Sequence, residues 1–310
     1  MWRALLSRLT PEPTAESPPI FGDDQMDRAL RHDGYLMLPF LDESHIQALR
    51  RLHDRMMPAL PADFTATTLD DSFDFRRRVS HGIRRIVEER LRRILPRYKV
   101  ILATFVSKRA RTTQGRVNLH QDWWLVDNRI HRALHFWCPL VDVGTRNGCL
   151  KVVPGIHRFL NDPYPIHPPS YRTAYHPVLP RLEAELVRRV SMPAGSALVY
   201  DERMLHGSDD NLSDQPRLAF NCVVVPEGLE PIVYWWDERE PSRMSILEVS
   251  EEFLCRFRYG TPLDEPYPED VRRRGTTEAA VRPVGESELA ALRRLRKGFA
   301  AGEESRPRHV

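Results

Sequence analysis

The chain has 310 residues, 41% of them hydrophobic and 29% charged, and carries a net charge of +3. This suffices for one large domain with appendages or for two small ones, and no apolar run approaches the ~18 residues of a membrane span, so neither a membrane protein nor a disordered chain is expected. Four cysteines, Cys138, Cys149, Cys222 and Cys255, show no CxxC spacing, and three lie in apolar strand-like runs; with no secretory pattern in the first nine residues, they read as reduced thiols of a cytoplasmic protein.

Residues 1–20 hold Pro11, Pro13, Pro18 and Pro19 among small polar residues, the composition of a flexible arm. Asp42 or Ser44 then caps a helix in which Ile46, Leu49, Leu52 and Met56 recur at helical spacing, stopped by Pro58 and Pro61. A second helix is expected from Ser80 to Leu95, with Ile83, Ile86, Val87, Leu91 and Ile94 on one stripe and Pro96 behind it. Arginines crowd the stretch from Arg76 to Arg97, interleaved with Glu88 and Glu89, and read as the solvated face of this helix. They lack the stacking aromatics of a nucleic-acid binder.

From Tyr98 the pattern changes to short β-rich runs at Val100 to Val106, Ala133 to Val143, Cys149 to Val153, Ser196 to Tyr200 and Leu218 to Val225. Strands without alternating helices predict a sandwich or barrel, not a doubly wound sheet. The proline-rich segment Pro154 to Pro193 reads as a long functional loop. Past Glu240, helices are expected near Ile246 to Phe257 and from Ser287 to Phe299, with a frayed tail after Glu303.

His120-Gln121-Asp122 follows the run Val117-Asn118-Leu119. If this segment is extended, His120 and Asp122 share one face. His206 comes 86 residues after His120, just past the apolar run Ala197 to Tyr200. Two histidines and one carboxylate on one side of a metal leave three positions open, which suits Fe(II) oxygenases. Arg217 opens the next strand eleven residues after His206, where its guanidinium can grip a carboxylate bidentately. Ser208 can add a hydroxyl donor, while Asn211 and Ser213 shape the intervening turn. His135 lines the pocket or is a satisfied core residue, and His157, in the turn after Pro154, reads as structural. Trp123, Trp124, Trp235 and Trp236 form either a substrate wall or core. Arg109, Arg111, Arg129 and Arg203 hint at an anionic substrate, in a chain where arginine outnumbers lysine 42 to 4.

These motifs occur in order with Asp33-Gly34-Tyr35, Trp137 with Pro139-Leu140, Asn147-Gly148-Cys149-Leu150, Val153-Pro154-Gly155-Ile156-His157 and Pro193-Ala194-Gly195. Together, from about Asp33 to Val225, they resemble the phytanoyl-CoA dioxygenase family of Fe(II)/2-oxoglutarate oxygenases. The resemblance implies a mainly β fold, a double-stranded β-helix (jelly roll, cupin-like) with flanking N-terminal helices. It implies iron held by His120, Asp122 and His206, and 2-oxoglutarate held through its far carboxylate by Arg217 and Ser208. Lys108 points toward the co-substrate or caps a strand edge. O2 is the oxidant, and the implied reaction is hydroxylation of an unactivated carbon in a small metabolite or carrier-bound acyl group, with no nucleic-acid or membrane partner and the oligomeric state open. Ile156 stands where the family usually has a small hydroxyl residue, and Arg109 follows Lys108 where proline is common. Asp122 keeps the carboxylate that halogenating relatives replace with a small residue, which favours hydroxylation. The implied division is an arm at 1–20, a dioxygenase domain at 21–238 and a C-terminal extension at 239–310. Two rivals share the fold: a ligand-binding jelly roll without turnover, and a cupin-type metalloenzyme that has no need of Arg217.

Overall fold

A computed structural model describes residues 19–166, 172–258, 263 and 266–303. Most of the arm expected at 1–20 and of the tail expected after Glu303 lies outside the described residues.

Two helices follow the entry into the fold. The first, α1 (Asp24–Asp33), starts at Asp23, whose carboxylate accepts the Gln25 and Met26 amides, and stops at Gly34 with φ 78°. Glycine is required there twice over, since a Cβ would also lie 2.4 Å from His157 Nδ1. Strand β1 (Tyr35–Pro39) leads to α2 (Glu43–Met56), capped by Asp42 through the His45 amide. After β2 (Phe64–Ala66), helix α3 runs Phe73–Ile94. It begins seven residues before the expected Ser80 because Ser72 caps it, accepting the Phe75 amide at 3.2 Å; the polar first turns concealed that start. Val79, Ile83, Val87 and Leu91 form its buried stripe, and Arg92 and Arg93 pair with Glu88 and Glu89 one turn back. Arg76 is the exception, buried at 5% exposure.

The remaining strands are β3 (Tyr98–Lys108), β4 (Val117–His120), β5 (Leu134–Pro139), β6 (Leu150–Val152), β7 (Arg188–Arg189), β8 (Ser196–Asp201), β9 (His206–Ser208), β10 (Arg217–Pro226), β11 (Ile232–Trp236), β12 (Arg243–Val249) and β13 (Val271–Glu278). They form a six-stranded sheet ordered β1-β8-β5-β10-β3-β2, a four-stranded sheet β4-β9-β6-β7 and a three-stranded sheet β11-β12-β13. Strand pairings within them are antiparallel. The outer face of the large sheet packs Phe105, Phe136, Val199 and Phe220 against Leu49 of α2 and Val79 and Ile83 of α3. Its inner face brings Trp137, Leu198 and Ala219 together with Leu119, Leu150 and Val152 of the four-stranded sheet. Two antiparallel sheets enclosing a common core make this the expected double-stranded β-helix.

Two local expectations are corrected. Pro154 to Pro193 is not a bare loop: it holds helical turns at Ile156–Arg158, His176–Val178, Leu179–Arg181 and Leu182–Leu186, and strand β7; its residues 167–171 lie outside the described residues. The helix expected at Ile246 to Phe257 is divided. Arg243–Val249 is a strand paired on both sides, and Ser250 then caps the short helix α4 (Glu251–Arg256) by accepting the Phe253 amide. The last helix, α5 (Glu286–Glu303), matches the one expected from Ser287. Among the described residues, no helix is long and apolar enough to cross a membrane.

Candidate metal centre

Strands β4 and β9 run antiparallel with His120 directly opposite His206, and the ring centroids stand 4.3 Å apart. The approach depends on Gly207, where a Cβ would lie 2.6 Å from Val117 O of β4. Asp122 follows two residues after His120 and faces both rings. His120 Nε2 is 3.6 Å from its Oδ1, and His206 Nε2 is 3.6 Å from its Oδ2. One ligand-type atom from each of the three lies within 4.8 Å of the others.

The proton positions follow from the partners. His120 Nδ1 lies 2.9 Å from Asn118 O, and His206 Nδ1 lies 3.1 Å from Met204 O. A carbonyl only accepts, so each Nδ1 carries the hydrogen and each Nε2 is turned toward Asp122. Burial acts to raise the Asp122 carboxyl, but the imidazoles of His206, His135 and His120 outweigh it and hold it below the ordinary carboxylate range. Burial, with His120 beside it, pushes His206 down to about 4. An ionised carboxylate and a neutral imidazole are the forms in which these side chains bind metal, so the donor set fits a divalent cation such as iron.

The cluster opens into a cavity of about 470 Å³. Arg217, the first residue of β10, reaches the same cavity while only 1% exposed. Its Nη1 donates to Val106 O at 2.8 Å and its guanidinium lies 5.4 Å over the Trp137 ring, but its Nε is buried without a partner. Burial pushes its pKa down to about 10, which leaves it cationic at neutral pH. A buried cation with an unused donor is a place for an anion. Ser208, buried on β9, lines the same cavity. Asn211 is fully buried and shapes the β9–β10 turn: its amide donates to Arg109 O and Gln215 O, and its Oδ1 accepts from the Ser213 amide and hydroxyl.

Lys108 is placed differently from either expectation. Strand β3 lies inside the sheet between β10 and β2, so it has no free edge at this point. The ammonium is fully buried and reaches the carbonyls of Ser208, at 3.4 Å, and Asp209. Burial, with Arg217 nearby, pushes it down to about 7. Its geometry is that of a fastener for the chain around Ser208.

The tryptophans divide. Trp123 is on the cavity wall, whereas Trp124 is fully buried edge-on to Tyr234, and Trp235 and Trp236 are not among the lining residues. His157 is buried beneath Gly34, with Nε2 3.2 Å from Arg31 O, a structural position. His135 does line the cavity, 3.4 Å from Asp122 Oδ2. Its ring stacks at 5.0 Å on Tyr200, whose hydroxyl is 3.4 Å from His206 Nε2. Tyr200 escaped sequence reasoning, and the signal available was its inward position on an apolar strand ending near His206. The four cysteines are buried and free.

Residues 30–219, more than half of the chain, match the profile of the family described as phytanoyl-CoA dioxygenase. A protein described as a putative phytanoyl-CoA dioxygenase of Dictyostelium discoideum is 29% identical over 36% of this chain and 32% of its own length. A probable phytanoyl-CoA dioxygenase of Caenorhabditis elegans is 27% identical over 39% of this chain and 40% of its own. The chain thus aligns with less than half the length of these curated relatives. Among solved structures, the non-haem α-ketoglutarate-dependent carbocyclase SnoK from nogalamycin biosynthesis is similar with a TM-score of 0.51 at 19% identity, over 83% of this chain and 99% of that one; at that identity the likeness concerns the fold. The family match spans both strands that carry the metal-type cluster and the first residues of β10, and the chain belongs to the phytanoyl-CoA dioxygenase family of Fe(II)/2-oxoglutarate oxygenases.

Proposed function

We propose that the protein is an Fe(II)- and 2-oxoglutarate-dependent dioxygenase that hydroxylates an unactivated carbon of a small metabolite or a carrier-bound acyl group. The balanced reaction is R–H + 2-oxoglutarate + O2 → R–OH + succinate + CO2. His120, Asp122 and His206 hold the iron; Arg217 and Ser208 take the far carboxylate of 2-oxoglutarate. When bound, the iron and co-substrate supply the oxidising power, drawn from O2 and the loss of CO2.

The chain's own residues bind, orient and shield. Asn118 O and Met204 O fix the two imidazoles through their Nδ1 hydrogens. His135 stands behind Asp122, and Lys108 anchors the backbone at Ser208. The largely apolar remainder of the wall keeps water from the reacting carbon. Residues 21–238 form the dioxygenase domain in this reading, and 239–310 an extension whose helix α4 contributes Leu254 to the cavity. The buried free thiols support a cytoplasmic setting.

One observation carries the reading: Arg217, a buried cation whose Nε has no partner, lines the cavity that also holds the His-Asp-His cluster. A ligand-binding jelly roll has no use for the cluster, and a metalloenzyme independent of 2-oxoglutarate has none for the arginine. The test is succinate formation from 2-oxoglutarate in air with Fe(II), including the slow turnover that proceeds without substrate. Wild type forms succinate and His206→Ala does not; equal rates in the two, or none in either across a substrate screen, would overturn the proposal.

A further inference from the structure

We infer that the substrate is an uncharged, largely apolar small molecule, and that α4, beyond the part of the chain covered by the family match, builds the wall that holds it. This rests on the function proposed above. The match ends at residue 219, yet Leu254 and Phe257 line the same cavity as the metal-type cluster. Among the described residues, the charged or readily ionised side chains on its wall are His120, Asp122, His135, His206 and Arg217, all accounted for at the metal and co-substrate end. Elsewhere the wall is dominated by Phe64, Leu69, Leu102, Trp123, Leu254 and Phe257. A carboxylate or phosphate against that surface would be desolvated with no cation to pair with.

The arginines that hinted at an anionic substrate are committed elsewhere, and none is on the wall. Arg109 donates to Leu60 O at 3.0 Å, while Arg111 pairs with Asp214, Arg129 with Asp127 and Arg203 with Asp201, each at 2.7 Å. The arginines flanking Phe257 are paired too, Arg258 with Asp71 and Arg256 with Asp270, each at 2.5 Å. A phosphate-bearing carrier would have to break existing ion pairs to find cations here. The large apolar side chain of Leu69, 63% exposed, instead belongs to the cavity lining, as at the entrance of an apolar site.

The wall is built before any ligand arrives. Trp123 meets Phe257 edge-on at 5.8 Å, and Phe253 stacks on Phe257 at 5.5 Å. Buried Arg76 donates to Cys255 O and Arg256 O at 2.7 Å and also to Asp70 O, so one guanidinium ties the end of α4 to the loop that carries Leu69. A cavity of about 470 Å³ lies within the range of single small-ligand sites, about 300–1,000 Å³.

The test uses three probes with one skeleton: decahydronaphthalene-2-methanol, decahydronaphthalene-2-carboxylate and the coenzyme A thioester of that acid. Each is measured by equilibrium dialysis against the full chain loaded with Fe(II) and 2-oxoglutarate under argon. The alcohol should bind about tenfold or more tightly than either charged probe, and Phe257→Ala and Leu254→Asp should each weaken it about tenfold. The visible absorption of the iron–keto acid chelate should be unchanged in both variants, and circular dichroism identifies a variant that has not folded. Tighter binding of the acid or thioester, no saturable binding of the alcohol, or alcohol binding indifferent to Phe257→Ala would overturn the inference. Absence of the chelate band in wild type would overturn the reading beneath it instead.

Discussion

Replacing Arg217 by methionine separates what the arginine does for the ligand from what it does for the fold. In the structure the guanidinium has one protein hydrogen bond, to Val106 O, and lies over Trp137, with Nε buried and unpartnered. If it grips the far carboxylate of 2-oxoglutarate through two charge-assisted hydrogen bonds of about 1.5–3 kcal/mol each, Arg217→Met loses roughly 3–6 kcal/mol of binding. At about 1.4 kcal/mol per decade, affinity for 2-oxoglutarate falls about 10²- to 10⁴-fold. Stability without ligand should move the other way or not at all, because a desolvated cation is exchanged for an apolar chain of similar length. The assay is thermal unfolding of the metal-loaded protein with and without 2-oxoglutarate. At a hundredfold excess over Kd the ligand stabilises wild type by about 2.7 kcal/mol, a shift of roughly 5 °C. The variant should melt at or above the wild-type temperature without ligand and show no shift at the same concentration. A variant that keeps the shift, or whose ligand-free form melts many degrees lower, would refute the reasoning.

Two pH effects and one structural clamp give further tests. Burial pushes His157 down to about 3, so between there and its unfolded value near 6.5 only the unfolded chain takes the proton. The associated stability is complete above about pH 6.5 and declines as pH falls, by on the order of 1 kcal/mol per unit; His157→Asn should flatten that slope in denaturant titrations from pH 6.5 to 4.5, and an unchanged slope contradicts the assignment. Glu202 has the opposite sign. Burial raises its carboxyl well above the ordinary value, and its Oε1 has no partner while Oε2 accepts from the Leu125 amide and Asn128. The folded chain therefore holds a proton that the unfolded chain loses above about pH 4.5, and stability declines as pH rises. Glu202→Gln should gain on wild type at pH 8 relative to pH 4, with equal differences at both refuting it. Arg76→Met removes hydrogen bonds to carbonyls of α4 and of the loop at Asp70; it should cost about 2–4 kcal/mol in denaturant unfolding, and a loss within the ±0.5 kcal/mol of an ordinary surface change would contradict the clamp.

What the sequence disclosed follows from spacing. A single intervening residue at Gln121 was enough to put His120 and Asp122 together, and β4 and β9 then brought His206 opposite. Strands without alternating helices correctly indicated the β architecture. Helix α1 was missed because only Asp27 and Leu30 of it are buried, leaving little periodic signal. Strand β12 reads as helix in the sequence because Ile246, Leu247 and Val249 fit either period, and its pairing with β11 and β13 decides for strand. His135 and Tyr200 meet only through the β5–β8 register, in which they are directly opposed, and no local pattern encodes that contact. Trp123 and Trp124 show the same limit: neighbours in sequence, one lines the cavity and the other is core. The part of the wall made by α4 depends on the chain returning some 130 residues after the ligand pair, which spacing alone does not foretell.

The most direct test is anaerobic addition of Fe(II) and 2-oxoglutarate to the metal-free protein, watched for the weak visible charge-transfer band of the iron–keto acid chelate. The account predicts the band in wild type, its loss in His206→Ala, and its appearance in Arg217→Met only at much higher 2-oxoglutarate. A wild-type protein that binds iron yet shows no band at any 2-oxoglutarate concentration would contradict the central claim.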